Sequence, residues 1–298
     1  ISKNKRASHS ILAGVDVVIE LPVSYATSSA EDFAYGAIKT LNSINSVSHL
    51  IFGSECGDIN LLYESVNKLN NNENNLEIKK NLKAGQSYAK SVSQALNDNL
   101  LTKPNNTLAI SYLNALNKLN SKIIPVTIKR EDNYSSAQIT SLSSATAVRA
   151  CIRNNTLTKE KHIVPEHTIK DLLKAPQINL DEMYSIIKYK ILSTPLEKLK
   201  NIYGISEGIE YKLKEEIITK TTFDDYITSL TSKRYPSSKI KRILTHLLLD
   251  LTCDKVDVIK NSKPYIKLLA ISEQDKKELL KTLSTSSATL ITKKKDYE

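Results

Sequence analysis

The run Ser143-Ser144-Ala145-Thr146-Ala147-Val148-Arg149 sets three hydroxyls and a guanidinium around the expected start of a helix. A helix amino end presents free N–H groups and the positive pole of the backbone dipole, so it attracts anions. Ser144 and Thr146 add donors there. Arg149, one turn further in, adds a charge that can fork onto a phosphate. The chemistry predicted is phosphate binding, against the plainer reading of a serine cap beside a surface arginine. Three further residues close predicted elements. Gly53 follows the apolar run 49–52, where a missing side chain lets a ligand reach the backbone; a simple turn glycine fits the position equally. Arg130 follows residues 122–129 and either meets a phosphate or an adenine or is solvated. Asn105, between Pro104 and a helix, either caps that helix or offers its amide to a nucleotide. The chain has no P-loop, no G-x-G-x-x-G and no Ser-His-Asp arrangement.

A second group lies in residues 233–246. Pro236 and Ser237 mark a helix start. From there Lys239, Arg242 and His246 share one face, while Ile240, Ile243, Leu244 and Leu247 form the apolar one. Lys233, Arg234 and Tyr235 stand just before it. The result is a basic patch bearing an aromatic, which suits an RNA backbone and a stacked base; a solvated helix face is the plainer reading. His246 itself reads as a packed or surface histidine.

The elements that must position these groups follow from pattern. Residues 15–22 form an apolar, β-branched run between Gly14 and Pro22, which predicts a buried strand. A helix follows from Ser28 or Ser29, with Glu31 and Asp32 in its first turn. Strand 49–52 comes next, and this strand–helix–strand order predicts a parallel βαβ unit. Residues 59–99 read as helical, broken by an exposed Asn-rich loop at 70–75. A helix over 107–119, a strand over 122–129 and a helix from Ser143-Ser144 complete the first half. Beyond about residue 155 helical periodicity runs to the end, with a break near Pro165 or Pro176. The fold class expected is α/β: a Rossmann-like, nucleotidyltransferase-type (HUP) parallel sheet over 1–160, then a basic, all-α domain over 161–298. In such sheets ligands bind beyond the carboxyl ends of the strands, which is where Gly53 and Arg130 fall.

Composition narrows the partners. The 298 residues carry 42 Lys and Arg against 32 Asp and Glu, a formal charge of +10, and only 15 of the basic residues lie in the first 150. That excess, concentrated in the helical half, favours a polyanion. Cys56, Cys151 and Cys253 are few and scattered, which argues for a reducing cytoplasm, no disulfide framework and no structural zinc. No apolar run reaches membrane-spanning length and no signal peptide is visible, so no membrane partner is expected.

The stretches 1–22, YATSSAEDFAYGA, FGSE, KPNNTLAISYL and SSATAVR, with SEGIE and SKRYPSSKIKRILTHLLL further on, together resemble the bacterial tRNA(Met) cytidine acetate ligases. The resemblance implies that ATP, as substrate with Mg2+, activates acetate as acetyladenylate. The acetyl group then passes to N4 of the wobble cytidine of elongator tRNA(Met). It implies that Gly53, Asn105 and Arg130 contact ATP. The helix-end chemistry above assigns Ser144, Thr146 and Arg149 to its phosphates, and charge alone assigns Lys233, Arg234, Lys239 and Arg242 to the tRNA. Two departures stand out. Members of the family begin with a strand and an H-x-G-H loop, whose histidines stabilise charge developing on the phosphates. The chain starts at Ile1 without them, so they are expected upstream, and residues 1–298 alone are expected to have little activity. Tyr134-Ser135-Ser136 also stands where the family carries Tyr-His-Asp. Two other functions fit the residues. One is a small-molecule adenylyltransferase, which would have no need of the basic half. The other is a non-catalytic tRNA-binding protein on a nucleotide-binding scaffold.

Overall fold

The computed structural model of the chain describes residues 1–84, 86, 88–96, 100–130, 145–154, 156–157, 163–176 and 179–293. The first half runs α1 (Lys3–Leu12), β1 (Val17–Glu20), α2 (Val23–Ala26), α3 (Ala30–Asn42), β2 (His49–Ser54), α4 (Ile59–Asn70), α5 (Asn72–Lys83), α6 (Tyr88–Leu96), α7 (Pro104–Lys118), β3 (Ile124–Lys129) and α8 (Ala145–Arg153). The second runs α9 (Glu166–Lys174), α10 (Tyr184–Ser193), α11 (Leu196–Lys200), α12 (Ile209–Thr219), α13 (Phe223–Leu230), α14 (Ser237–Leu248), α15 (Cys253–Asn261), β4 (Tyr265–Ile271), α16 (Lys276–Ser284) and β5 (Thr289–Ile291).

β2 and β3 form the parallel pair that carries the candidate site, in register from His49 opposite Ile124 to Ser54 opposite Lys129. Side chains alternate along a strand. Leu50 and Phe52 therefore turn toward α3, α4 and α7, in a core with Ile38, Leu62, Val66 and Leu113. α3 starts as its sequence predicts. Ser29 Oγ accepts from Asp32 N, and Glu31 and Asp32 occupy the first turn. Gly36 of α3 is required by contact, since a Cβ there would stand 2.1 Å from the Tyr25 ring. The helical body has its own core, in which Ile187, Ile191, Leu213, Ile217, Tyr226, Leu230 and Leu244 are shut off from water. Burying each such aliphatic side chain contributes about 1.5–3 kcal/mol. Among the described residues no helix is long and apolar enough to cross a membrane.

The α/β architecture and the helical second half are as expected, with three differences. First, β1 and β2 do not join in one βαβ sheet: β1 pairs antiparallel with β4, and β5 extends that sheet in the order β1-β4-β5. Second, helical structure therefore does not run to the end of the chain. Residues 265–291 return as strand, helix and strand to the first half and share an apolar cluster with Ile44, Val17 and Ile19. A seven-residue apolar run such as Tyr265–Ile271 has no periodicity that separates a strand from a buried helix; the open edge of β1 decides it. Third, the Asn-rich stretch is no loop. Asn71 caps α5 through Glu73 N, and residues 72–75 form its first turn. An Asn that finds its cap role stops one helix and starts another without an intervening loop.

Candidate functional site

β2 keeps its pairing with β3 through Gly53 and Ser54, past the end that the sequence predicts, and the chain turns at Glu55 and Cys56. The turn is pinned on both sides. Ser54 Oγ lies 2.7 Å from Thr127 Oγ1 of β3 and accepts from Gly57 N at 3.0 Å. Glu55 reaches across to the amino end of α7. Its Oε1 accepts from the backbone N and the side-chain Nδ2 of Asn105, at 3.0 and 2.8 Å, and its Oε2 from Asn106 N at 2.7 Å. Asn106, 1% exposed, answers with Oδ1, which accepts from Glu55 N and Cys56 N at 2.9 and 3.1 Å. Partial burial pushes the Glu55 carboxyl up, but the Asn105 and Asn106 donors outweigh it and hold the pKa below its ordinary value. A carboxylate on a helix amino end is favourable for the same dipole reason that a phosphate is.

This clasp fixes the sequence-predicted residues in place. Asn105 does not cap α7 with its own side chain; Glu55 supplies the cap and holds the Asn105 amide on the same carboxylate. Gly53 lies against Arg130. A Cβ on Gly53 would stand 3.1 Å from Arg130 Cγ. Arg130 N donates to Ser54 O at 2.8 Å, carrying the parallel ladder one residue past β3 and leaving its side chain exposed. Gly53, Asn105 and Arg130 are thus gathered around one strand end. Ser144 lies outside the described residues, as do Ser143 and Tyr134-Ser135-Ser136. Thr146 is half-buried and Arg149 exposed on α8, whose inner face packs through Val148, Cys151 and Ile152 with Leu157 and Ile169. Glu55 and Asn106 are not among the residues predicted from the sequence. The signal was there: a carboxylate two residues past a strand-end glycine, and an Asn pair directly after Pro104.

The basic group divides. Lys233 and Arg234 are exposed, and Arg234 Nη1 pairs with Glu207 at 2.9 Å. Tyr235 is not available to stack on a base: it is 5% exposed, its hydroxyl donates to the Ser206 carbonyl, and Lys239 Nζ lies over its ring at 3.9 Å. The reason is tertiary, since the turn before α14 folds Tyr235 into the helical core. Lys239 and Arg242 are half-buried and, with His246, line a cavity of about 250 Å³ between α14 and the start of α3. His246 is a packed histidine, 3% exposed. Its Nδ1 lies 2.8 Å from Tyr203 O and its Nε2 3.0 Å from Thr27 O. Beside it the two halves are tied together by charge. Asp32 accepts from the Tyr203 hydroxyl at 2.5 Å and pairs with Lys260 at 2.7 Å, and Lys260 Nζ donates to the same hydroxyl at 3.1 Å. Burial pulls the Lys260 pKa down, yet Asp32 and Tyr203 hold it above its ordinary value. Among the described residues no group of three or more His, Cys, Asp or Glu side chains could hold a metal ion.

A parallel strand end with a backbone-accessible glycine, a clasped asparagine and an exposed arginine, joined to a basic helical body, is the outline of a nucleotide-handling α/β protein. The family description HIGH Nucleotidyl Transferase matches residues 1–298, and the chain belongs to that family. Among its relatives, the chain is 37% identical to the tRNA(Met) cytidine acetate ligase of Clostridium acetobutylicum, over 100% of this chain and 79% of that one. It is 36% identical to the protein of the same name from Clostridium perfringens, over 95% of this chain and 75% of that one. The crystal structure of Thermotoga maritima TmcAL (apo) superposes with a TM-score of 0.92 at 26% identity, covering 100% of this chain and 75% of that one. The same protein bound with alpha-thio ATP gives 0.89 at 25% identity, with the same coverage.

Proposed function

We propose that the protein is an ATP-dependent ligase that joins acetate to N4 of the wobble cytidine of elongator tRNA(Met), acting in the cytoplasm. The observation that carries the proposal is the cluster at the carboxyl end of β2 and β3, where Gly53 lies against Arg130 and Glu55 holds Asn105. An exocyclic amine does not attack a carboxylate at a useful rate, so the acetate must first be activated. An acetate oxygen attacks the α-phosphorus of ATP and the bond to the β-phosphate oxygen breaks. Pyrophosphate leaves and acetyladenylate remains. The cytidine N4 then attacks the acetyl carbon, AMP leaves with the bonding pair, and N4 loses a proton.

In this reading Gly53 lets the nucleotide lie against the backbone. The Asn105 amide, aimed by Glu55, orients it, and Arg130 meets a phosphate or the adenine. Thr146, Arg149 and Ser144 serve the phosphates. Mg2+ enters as the companion of ATP, held by the phosphates themselves; the described residues offer it no carboxylate cage, and no step is assigned to it. Lys233, Arg234, Lys239 and Arg242 receive the tRNA backbone. The test is direct. Protein expressed from its full reading frame is incubated with ATP, acetate and elongator tRNA(Met), and the nucleosides are analysed by mass spectrometry. N4-acetylcytidine that requires all three components is expected. AMP and pyrophosphate formation that ignores tRNA and acetate, with no N4-acetylcytidine, would overturn the proposal.

A further inference from the structure

Of the four basic residues assigned to RNA by charge, two differ in kind. Lys233 and Arg234 are ordinary surface cations, and Arg234 already has Glu207. Lys239 and Arg242, one turn apart on α14, face the cavity of about 250 Å³ together with Ser28, Ser29, Tyr203 and His246. Among the described residues neither cation has a carboxylate within ion-pair distance, and Arg242 has no hydrogen-bond acceptor either. The one acidic residue on the cavity wall, Asp32, is already held by Lys260 and Tyr203. Burial lowers the proton affinity of both Lys239 and Arg242; at Lys239 the Glu207 charge works against that, and the charges of Arg242 and Arg234 add to it. Two half-desolvated like charges are unfavourable in the free protein: Lys239 is eased by the Tyr235 ring and the Glu207 charge, and Arg242 has no ion pair among the described residues. An anion between them would offset that cost, and a guanidinium beside an ammonium is the donor set for a phosphate.

The surroundings agree with that ligand. The cavity wall includes Ser28 and Ser29 at the amino end of α3, a helix of 13 residues whose dipole points the same way as the two cations. The acids of its first turn are both engaged, Glu31 by Lys118 at 2.7 Å and Asp32 by Lys260. Arg242 also borders a second cavity of about 350 Å³, together with Ser29, Thr107, Ser111 and Asn114. Thr107 lies two residues beyond Asn105 on α7. The space beside Arg242 therefore continues along α7.

We propose that Arg242 and Lys239 form a built phosphodiester subsite, between α14 and the start of α3, which anchors the RNA substrate. The assignment rests on the tRNA reading above, and the test separates the two. Labelled elongator tRNA(Met) is titrated into wild-type protein and into Lys239→Gln, Arg242→Gln and the double variant, followed by fluorescence anisotropy from 50 to 200 mM salt. ATP binding is measured by calorimetry on the same samples, and thermal melting reports folding. In the double variant tRNA affinity should fall about tenfold or more, with the slope of log K against log salt lower by about 1. ATP affinity should stay within about twofold of wild type. Lys239→Gln, at the mouth of the helix, supplies the same readout should the Arg242 variant melt early. Unchanged tRNA affinity in folded variants, while wild type binds, overturns the subsite and leaves the tRNA reading intact. A loss of ATP affinity alone overturns it in favour of the phosphates of ATP. Wild-type protein that does not bind tRNA at all overturns the reading and the subsite together.

Discussion

The amino ends of α7 and α3 belong to two helices packed side by side, and they are completed in opposite ways. At α7 the free N–H groups of Asn105 and Asn106 are filled by a carboxylate from the chain itself, Glu55, and every partner is satisfied. At α3 a neutral serine makes the cap, and the space beyond holds two cations with no carboxylate at ion-pair distance among the described residues. Both places attract negative charge for the same physical reason. Where the fold supplies the charge, the result is rigidity; where it does not, the charge must come from a ligand. The first place aims Asn105, and the second awaits a phosphate.

That contrast predicts that removing a carboxylate costs stability at either end, whereas removing a cation beside α3 does not. Glu55→Ala strips the α7 end of its cap and leaves three donors without their acceptor. We expect a loss of about 2–3 kcal/mol in urea denaturation, together with weaker ATP binding because the Asn105 amide loses its aim. Stability equal to wild type would make the clasp an idle contact. Asp32→Asn probes the other side by freeing Lys260 as a further unanswered cation next to α3. A loss of about 1–2 kcal/mol is expected, with tRNA affinity retained or raised; a fall in tRNA affinity would mean that the cleft needs the carboxylate.

The clasp also has a pH signature. The Glu55 pKa is depressed in the folded protein, so its contribution is fully present above its ordinary value and is lost as pH falls through the folded one. Below about pH 4.5 the wild type should therefore lose stability more steeply than Glu55→Gln, and parallel curves would remove the carboxylate from the explanation. At the α3 end the sign reverses. Arg242→Met keeps the packing stem and removes an unpaired, half-buried charge, so the melting curve should be unchanged or shifted up by about 0.5 kcal/mol. A clear destabilisation would show that Arg242 has a structural partner. The smallest effect on folding is expected for Gly53→Ala. The added Cβ meets the middle of a flexible Arg130 side chain at 3.1 Å, which can move. Stability should stay within about 0.5 kcal/mol of wild type while ATP affinity falls severalfold, and an unaltered affinity would take the nucleotide off that strand end.

Much of this was legible in the residues. Ser29 and the acids after it predicted the start of α3, Pro236 and Ser237 that of α14, and the apolar runs predicted β1, β2 and β3, because caps and periodicity act within one or two turns of chain. The stripe that puts Lys239, Arg242 and His246 on one face of α14 was legible for the same reason. The exceptions all join residues far apart. Glu55 meets Asn105 fifty positions on. Tyr235, which reads as an exposed aromatic among basic residues, is taken into the helical core through Ser206. β1 pairs with β4, some 250 residues later, where periodicity alone offered more helix.

The sequence by itself determined the fold class, the starts of α3 and α14, and the sign of the charge, since each follows from local geometry or from counting. Only the tertiary structure decided which charges are answered. Glu55 is spent on a helix end, Glu207 on Arg234 and Asp32 on Lys260, and among the described residues that leaves Lys239 and Arg242 without a carboxylate at ion-pair distance. Pairing of this kind depends on distances across the fold, which no spacing along the chain encodes.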